Sequence, residues 1–290
     1  MYVHPVLSWF VLIVFGIVYV IIASSLTVFV APTALGSGVA EAMGMLNGIN
    51  YPDYISFKVL GVKFLGLAFA VSGGLCGGKE GPLVHMGSIV GMMTAYLPFK
   101  IFDYFRNDVE KRKLLAAGIA SGVSAAFGAP IGGSLFAYEI SKPNTFWSFS
   151  LTWKVFFASS ISTFVLSILK QLYEGEKDIK LINSGNVKLA ANKDDVFMDA
   201  LVAAGIIGIV GGMVGSLFIR VNNMINVYRK KLLNTKLKKI LEACVLIVIT
   251  STAFYLSSYF RNCLPLDDVN DPLLQKDKHI EVIQFHCPDG

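Results

Sequence analysis

Seven apolar stretches, each close to the length of a membrane-crossing helix, constrain this chain more than any other feature. A hydrocarbon layer about 30 Å thick takes about 20 apolar residues in a helix that rises about 1.5 Å per residue. Residues 6–30 reach that length with no charged residue inside. Residues 57–76 (with Lys58 and Lys63 towards the start), 82–99, 114–140, 146–169, 196–219 and 240–259 follow. Only 16% of the 290 residues are charged, against about 25% in a soluble domain. That leaves too little charge to keep seven such surfaces in water. The expected fold is all-α and polytopic, with the lipid bilayer as solvent.

The first stretch does not read as a cleavable signal peptide. Its apolar core is too long, and only Met1 to Pro5, with one His, precede it. The formal charge of +5 does not imply nucleic acid as a partner, because the basic residues lie mostly between apolar stretches. Arg220, Arg229, Lys230, Lys231, Lys236, Lys238 and Lys239 form a run without an acidic residue, which marks a cytoplasmic loop. Residues 170–195 balance Lys with Glu and Asp and fit the opposite face. Cys76 and Cys244 are expected as small buried side chains. Cys263 and Cys287 flank the polar tail on the non-cytosolic side, where they could pair or stay free.

Glycine and proline punctuate these stretches. The clusters at residues 34–38, 73–78 and 128–133 each carry or adjoin a proline or a charge. A broken helix in lipid exposes backbone polar groups at several kcal/mol each, unless protein or a water-filled cavity covers them. Broken helices with free N-termini are how many transporters build ion sites. Gly205, Gly208, Gly211, Gly212 and Gly215 sit in an uninterrupted stretch and suit close helix packing instead.

The site-bearing segment is Gly77-Gly78-Lys79-Glu80-Gly81-Pro82-Leu83-Val84-His85. Pro82 belongs in the first turn of a helix, where its missing N–H costs nothing, and that helix is expected to run to about Tyr96. The preceding glycines allow a sharp turn. The product is a helix N-terminus with unpaired N–H groups and partial positive charge at membrane depth, which favours an anion. Glu80 stands at its mouth, where a carboxylate can take the anion's place. Gly73, Gly78 and Lys79 also fit a phosphate-binding G-x-x-x-x-G-K loop, but Glu80 occupies the position that needs Ser or Thr for magnesium.

Three ordered motifs carry a resemblance. Gly36-Ser37-Gly38-Val39-Ala40-Glu41 is similar to G-S-G-I-P-E, Gly78-Lys79-Glu80-Gly81-Pro82 to G-[KR]-E-G-P, and Ala126 to Phe136 to a third signature followed by Glu139. The chain resembles the CLC family of chloride channels and chloride/proton exchangers, and its Lys79 and Tyr104-Phe105-Arg106 look most like the endosomal and lysosomal branch. The resemblance implies the first half of an inverted repeat plus the start of the second, homodimeric assembly and a multi-pass intracellular membrane location. It makes Ser37, Gly38 and Gly81 anion-binding residues and Glu80 the gate, with Gly78, Lys79 and Pro82 beside them. Chloride is then the bound substrate, with no metal or other cofactor and no enzyme activity expected.

Two departures qualify that likeness. Ile140 stands where exchangers usually carry a proton-passing glutamate, and an aliphatic side chain cannot titrate. Passive, channel-like conduction is therefore expected, with chloride/proton antiport as the alternative. The second-half G-x-F-x-P motif, the late tyrosine and the cytosolic CBS domains are missing from residues 1–290, and the chain starts near the second membrane helix of the usual fold. A non-conducting fragment or assembly subunit is the third alternative. Ala40 replaces the usual proline of the first signature. His85 and Glu139 are read as hydrogen-bonded structural residues, and Trp9, Trp147 and Trp153 as anchors or packing.

Overall fold

The computed structural model describes residues 5–51, 53–141, 147–174 and 198–259, and all regular structure among them is helical. Helix α1 spans Pro5–Ser25 and runs on as a wider π-type turn over Leu26–Val30. Next come α2 (Val39–Leu46), α3 (Phe57–Ser72), α4 (Glu80–Met93) and α5 (Asp108–Phe127). The chain continues with α6 (Pro130–Ser141), α7 (Phe149–Glu174), α8 (Met198–Leu232) and α9 (Lys236–Tyr259). Among the described residues, four segments are long and apolar enough to cross a membrane: Val6–Val30, Phe149–Tyr173, Val202–Leu232 and Lys236–Ser257.

The other three apolar stretches are corrected by this count. They are built from helices of 16, 14, 20 and 12 residues: glycine and proline shorten three of them, and the longest, α5, opens with five charged residues among its first six. The stretch at 114–140 splits where Gly128 adopts the left-handed conformation (φ 67°) and Pro130 opens α6. A left-handed glycine after the last turn is a common helix stop.

Helix α5 lies at the centre, packed on α4, α6 and α7, while α1 packs on α3 and α9. The α4–α5 contact is made by glycine on both sides. Gly87 and Gly91 of α4 face Gly118 and Gly122 of α5, and the two backbones touch. Such small-residue spacing lets helices approach closely where lipid supplies no hydrophobic drive. The main core follows from it: Ala42 and Met45 of α2, Val84 of α4, Ile119 and Val123 of α5, and Val155 of α7 are buried together.

Two expectations fail around α8. The basic run is helical rather than a loop: Arg220 and Arg229 to Lys231 continue α8, Lys236 to Lys239 open α9, and three residues link the two. The Arg229 guanidinium forks onto both oxygens of Glu242 at 2.5 and 2.9 Å, which ties the hairpin. The α8 glycines meet no packing partner among the described residues, since a Cβ added at Gly205, Gly208, Gly211, Gly212 or Gly215 has no described atom within 4 Å. Cys76, expected buried, is exposed because it lies in the loop after α3, whereas Cys244 is half-buried in α9. Cys263, Cys287 and most of the 170–195 segment lie outside the described residues.

Helix α5 enters through Asn107, whose Oδ1 accepts from the Val109 N–H at 3.3 Å, with Asp108 and Glu110 in the first turn. Both the cap and the acids offset the positive helix end. Asn107→Ala should cost about 1 kcal/mol. The apparent Tm, followed by tryptophan fluorescence in detergent, should fall by about 2–4 °C.

Candidate functional site

Two helix starts meet at the motif residues. The loop before α2 carries two left-handed glycines, Gly36 (φ 74°) and Gly38 (φ 79°), with Ser37 between them. Glycine adopts this conformation without the Cβ clash other residues suffer. Ser37 is exposed and its Oγ accepts from the Val39 N–H at 3.4 Å, so the serine helps cap α2 as well as facing outwards. Glu80, Gly81 and Pro82 are the first three residues of α4, and Lys79 is its N-cap. The expected helix to Tyr96 is met by α4 and a tighter closing turn over Thr94–Tyr96.

Gly81 rests against Ser37, and a Cβ added at Gly81 would come 2.6 Å from the Ser37 Cβ. The α2 and α4 N-termini are thereby held side by side, each with first-turn N–H groups unpaired within its helix. The half-buried Glu80 side chain curls back over Gly78, while Gly78 and Lys79 are exposed. Ser37, Gly38, Gly78, Lys79, Glu80, Gly81 and Pro82 therefore form one constellation.

Ile140 lies apart from it. It is 7% exposed, in the last turn of α6, within the core that also holds Ala42 and Val84. Glu139 beside it lies on the exposed face of α6. Trp9 donates through Nε1 to Thr252 Oγ1 at 3.3 Å, joining α1 to α9, and Trp147 donates to Thr152 Oγ1 at 2.9 Å. Trp153 packs edge-on against Phe149 and Phe156.

Beneath the Ser37 loop lies a polar cluster whose assembly is not evident from the sequence. Lys63 of α3 is 3% exposed, and its Nζ donates to the Gly36 carbonyl at 2.8 Å and meets His85 Nδ1 at 2.9 Å. His85 is fully buried, and its Nε2 lies 3.2 Å from the Tyr54 carbonyl. The two rings stack at 3.9 Å, and the Tyr54 hydroxyl donates to the Gly38 carbonyl at 2.8 Å. The signal that could have found this is Lys63 itself, since a lysine inside an apolar stretch must bury its charge against polar partners. Among the described residues no group of three or more His, Cys, Asp or Glu could hold a metal ion. The 73–79 segment joins two helices, whereas a phosphate-binding loop follows a strand.

The chain is 37% identical over 286 residues to the H(+)/Cl(-) exchange transporter 7 of Bos taurus, covering 94% of this chain and 34% of that protein. It is 36% identical over 258 residues to Chloride channel protein A of Dictyostelium discoideum, covering 86% of this chain and 29% of that protein. The chain thus spans about a third of the length of the curated relatives it matches. A crystal structure of a slow cyanobacterial Cl-/H+ antiporter superposes with a TM-score of 0.70 at 24% identity, over 91% of this chain and 60% of that one. That likeness shows the fold: multi-pass, all-α, with broken helices. The model of the Voltage gated chloride channel family matches residues 18–278, and the chain belongs to that family.

Proposed function

We propose that this chain forms part of a chloride pathway, in which the paired N-termini of α2 and α4 hold a dehydrated anion and the Glu80 carboxylate competes for the same place. The observation that carries the reading is the contact between Ser37 and Gly81, which puts two positive helix ends around one exposed serine. Helix N-termini, backbone N–H groups and a hydroxyl replace the hydration shell of a halide. Glu80, Gly78, Lys79 and Pro82 form the mouth of that place. Conduction is passive in this reading, because Ile140 offers no titratable group on the α6 side. Homodimeric assembly and an endosomal or lysosomal membrane accompany the proposal by family likeness.

A second reading, coupled chloride/proton antiport, is favoured by the relatives named H(+)/Cl(-) exchange transporter 7, which share 37% identity. The two separate on simultaneous chloride and proton flux. Passive conduction gives chloride movement with no fixed proton count, and a constant stoichiometry would establish the antiporter.

Glu80→Ala tests the shared premise. Removing a competitor worth about 1.4 kcal/mol should tighten chloride binding about tenfold, and halide flux should change once the carboxylate is gone. Unchanged affinity together with unchanged halide flux would reject the gate.

A further inference from the structure

Among described residues, the cluster beneath the Ser37 loop is built from groups that are costly to bury, and each is aimed at the loop or at its support. Lys63 comes from α3, His85 and Ser88 from α4, and Tyr54 from the segment between α2 and α3. Their hydrogen bonds admit one consistent assignment. An ammonium only donates. It is bonded to the Gly36 carbonyl and to His85 Nδ1, so Nδ1 must present its lone pair. The imidazole is then neutral with its proton on Nε2, which donates to the Tyr54 carbonyl. Tyr54 returns its hydroxyl proton to Gly38, and its ring lies flat on His85 at an interplanar angle of 10°. Ser88 Oγ lies 3.2 Å from the Tyr54 hydroxyl and donates to the His85 carbonyl at 2.7 Å.

The carbonyls on either side of Ser37, those of Gly36 and Gly38, are thus both held from within the protein. That matters because a peptide unit is planar and trans, so its C=O and N–H point in opposite directions. With the Gly36 oxygen drawn onto Lys63, the Ser37 N–H must point away from Lys63. A free carbonyl there could swing outwards and repel an anion.

We infer that Lys63 and His85 are positioning residues for anion recognition: they lock the Gly36–Ser37 peptide so that its N–H, rather than its carbonyl, serves the place beside Ser37. The inference rests on the proposed anion site. His85 acts on Lys63 by supplying the acceptor that aims its ammonium, and Lys63 acts on the loop. Neither touches the anion in this account.

The test uses the purified 290-residue chain in detergent. Chloride and nitrate affinities are measured by calorimetric titration, and thermal stability is measured in gluconate. Lys63→Met and His85→Leu should each weaken chloride binding about tenfold, the loss expected for one charge-assisted hydrogen bond, and should shift the ratio of chloride to nitrate affinity. His85→Gln should restore most of both relative to His85→Leu, because an amide can also accept from Lys63 and donate to Tyr54. In a Ser37→Ala background, Lys63→Met should still weaken chloride binding, because that background keeps the backbone N–H at position 37.

Wild-type protein that binds no chloride would remove the anion site and this inference with it. Wild-type binding that changes with Ser37→Ala, but survives a folded Lys63→Met with affinity and preference intact, would overturn the inference alone. If Lys63→Met does not fold, the His85 pair decides: equal chloride affinity in His85→Leu and wild type overturns the inference, and a loss rescued by His85→Gln sustains it.

Discussion

Gly118→Leu is expected to yield no folded protein. Gly118 sits where α5 crosses α4, and a Cβ built there runs into the Gly87 carbonyl oxygen, with the Gly87 carbonyl carbon and Gly91 Cα both at 3.0 Å. These neighbours are backbone atoms of a helix and cannot rotate aside, so the helices must separate. Separation also opens the three other glycine contacts in the same seam, since Gly87, Gly91 and Gly122 each touch backbone across it. Overpacking a core costs about 1–3 kcal/mol even where side chains can yield, and a backbone collision should exceed that range. Against a total stability of about 5–15 kcal/mol, loss of the monodisperse peak in size-exclusion chromatography is the expected result. Gly61→Leu is the control, because no described atom lies within 4 Å of a Cβ there. Equal yields from the two variants would refute the glycine seam.

Gly38→Ala should be nearly as damaging, and for two separable reasons. Its φ of 79° costs an L-residue about 1–2 kcal/mol. The added methyl would also meet His85, 2.5 Å from Nδ1 and 2.6 Å from Cγ. That ring cannot retreat without breaking its contacts to Lys63 and to the Tyr54 carbonyl. Gly36→Ala isolates the first reason, since its φ is 74° and nothing described lies within 4 Å of its Cβ. Denaturation in matched detergent should therefore show Gly38→Ala less stable than Gly36→Ala by about 2 kcal/mol, the overpacking share. A difference near zero would mean the His85 ring is not fixed.

Most of the helices were legible from apolar length, and the breaks from glycine and proline. The start of α4 at Glu80 followed from Pro82, a local rule that does not depend on the rest of the fold. Which side chains would meet was much less legible. Lys63, Tyr54 and His85 are separated by 9 to 31 positions, and no periodicity links them. His85 looked like a packing residue and is one, yet its two nitrogens also connect α3 to the Tyr54 segment. The basic run between α8 and α9 misled because Lys and Arg are good helix formers, so charge marked a membrane side without marking a loop. The α8 glycines matched a packing pattern that pairs two surfaces, and no described residue supplies the second.

The interruptions ahead of Pro82 and Pro130 are not electrically alike. At 128–130, the end of α5 and the start of α6 are separated by two residues, so about half a negative charge sits beside about half a positive one. They compensate one another and leave little net field for an ion. Between α3 and α4 the gap is seven residues, long enough for the ends to part. In the proposed anion pathway, the spacer length between helices, rather than the proline that follows it, then separates an interruption fit for an ion from one that only turns the chain.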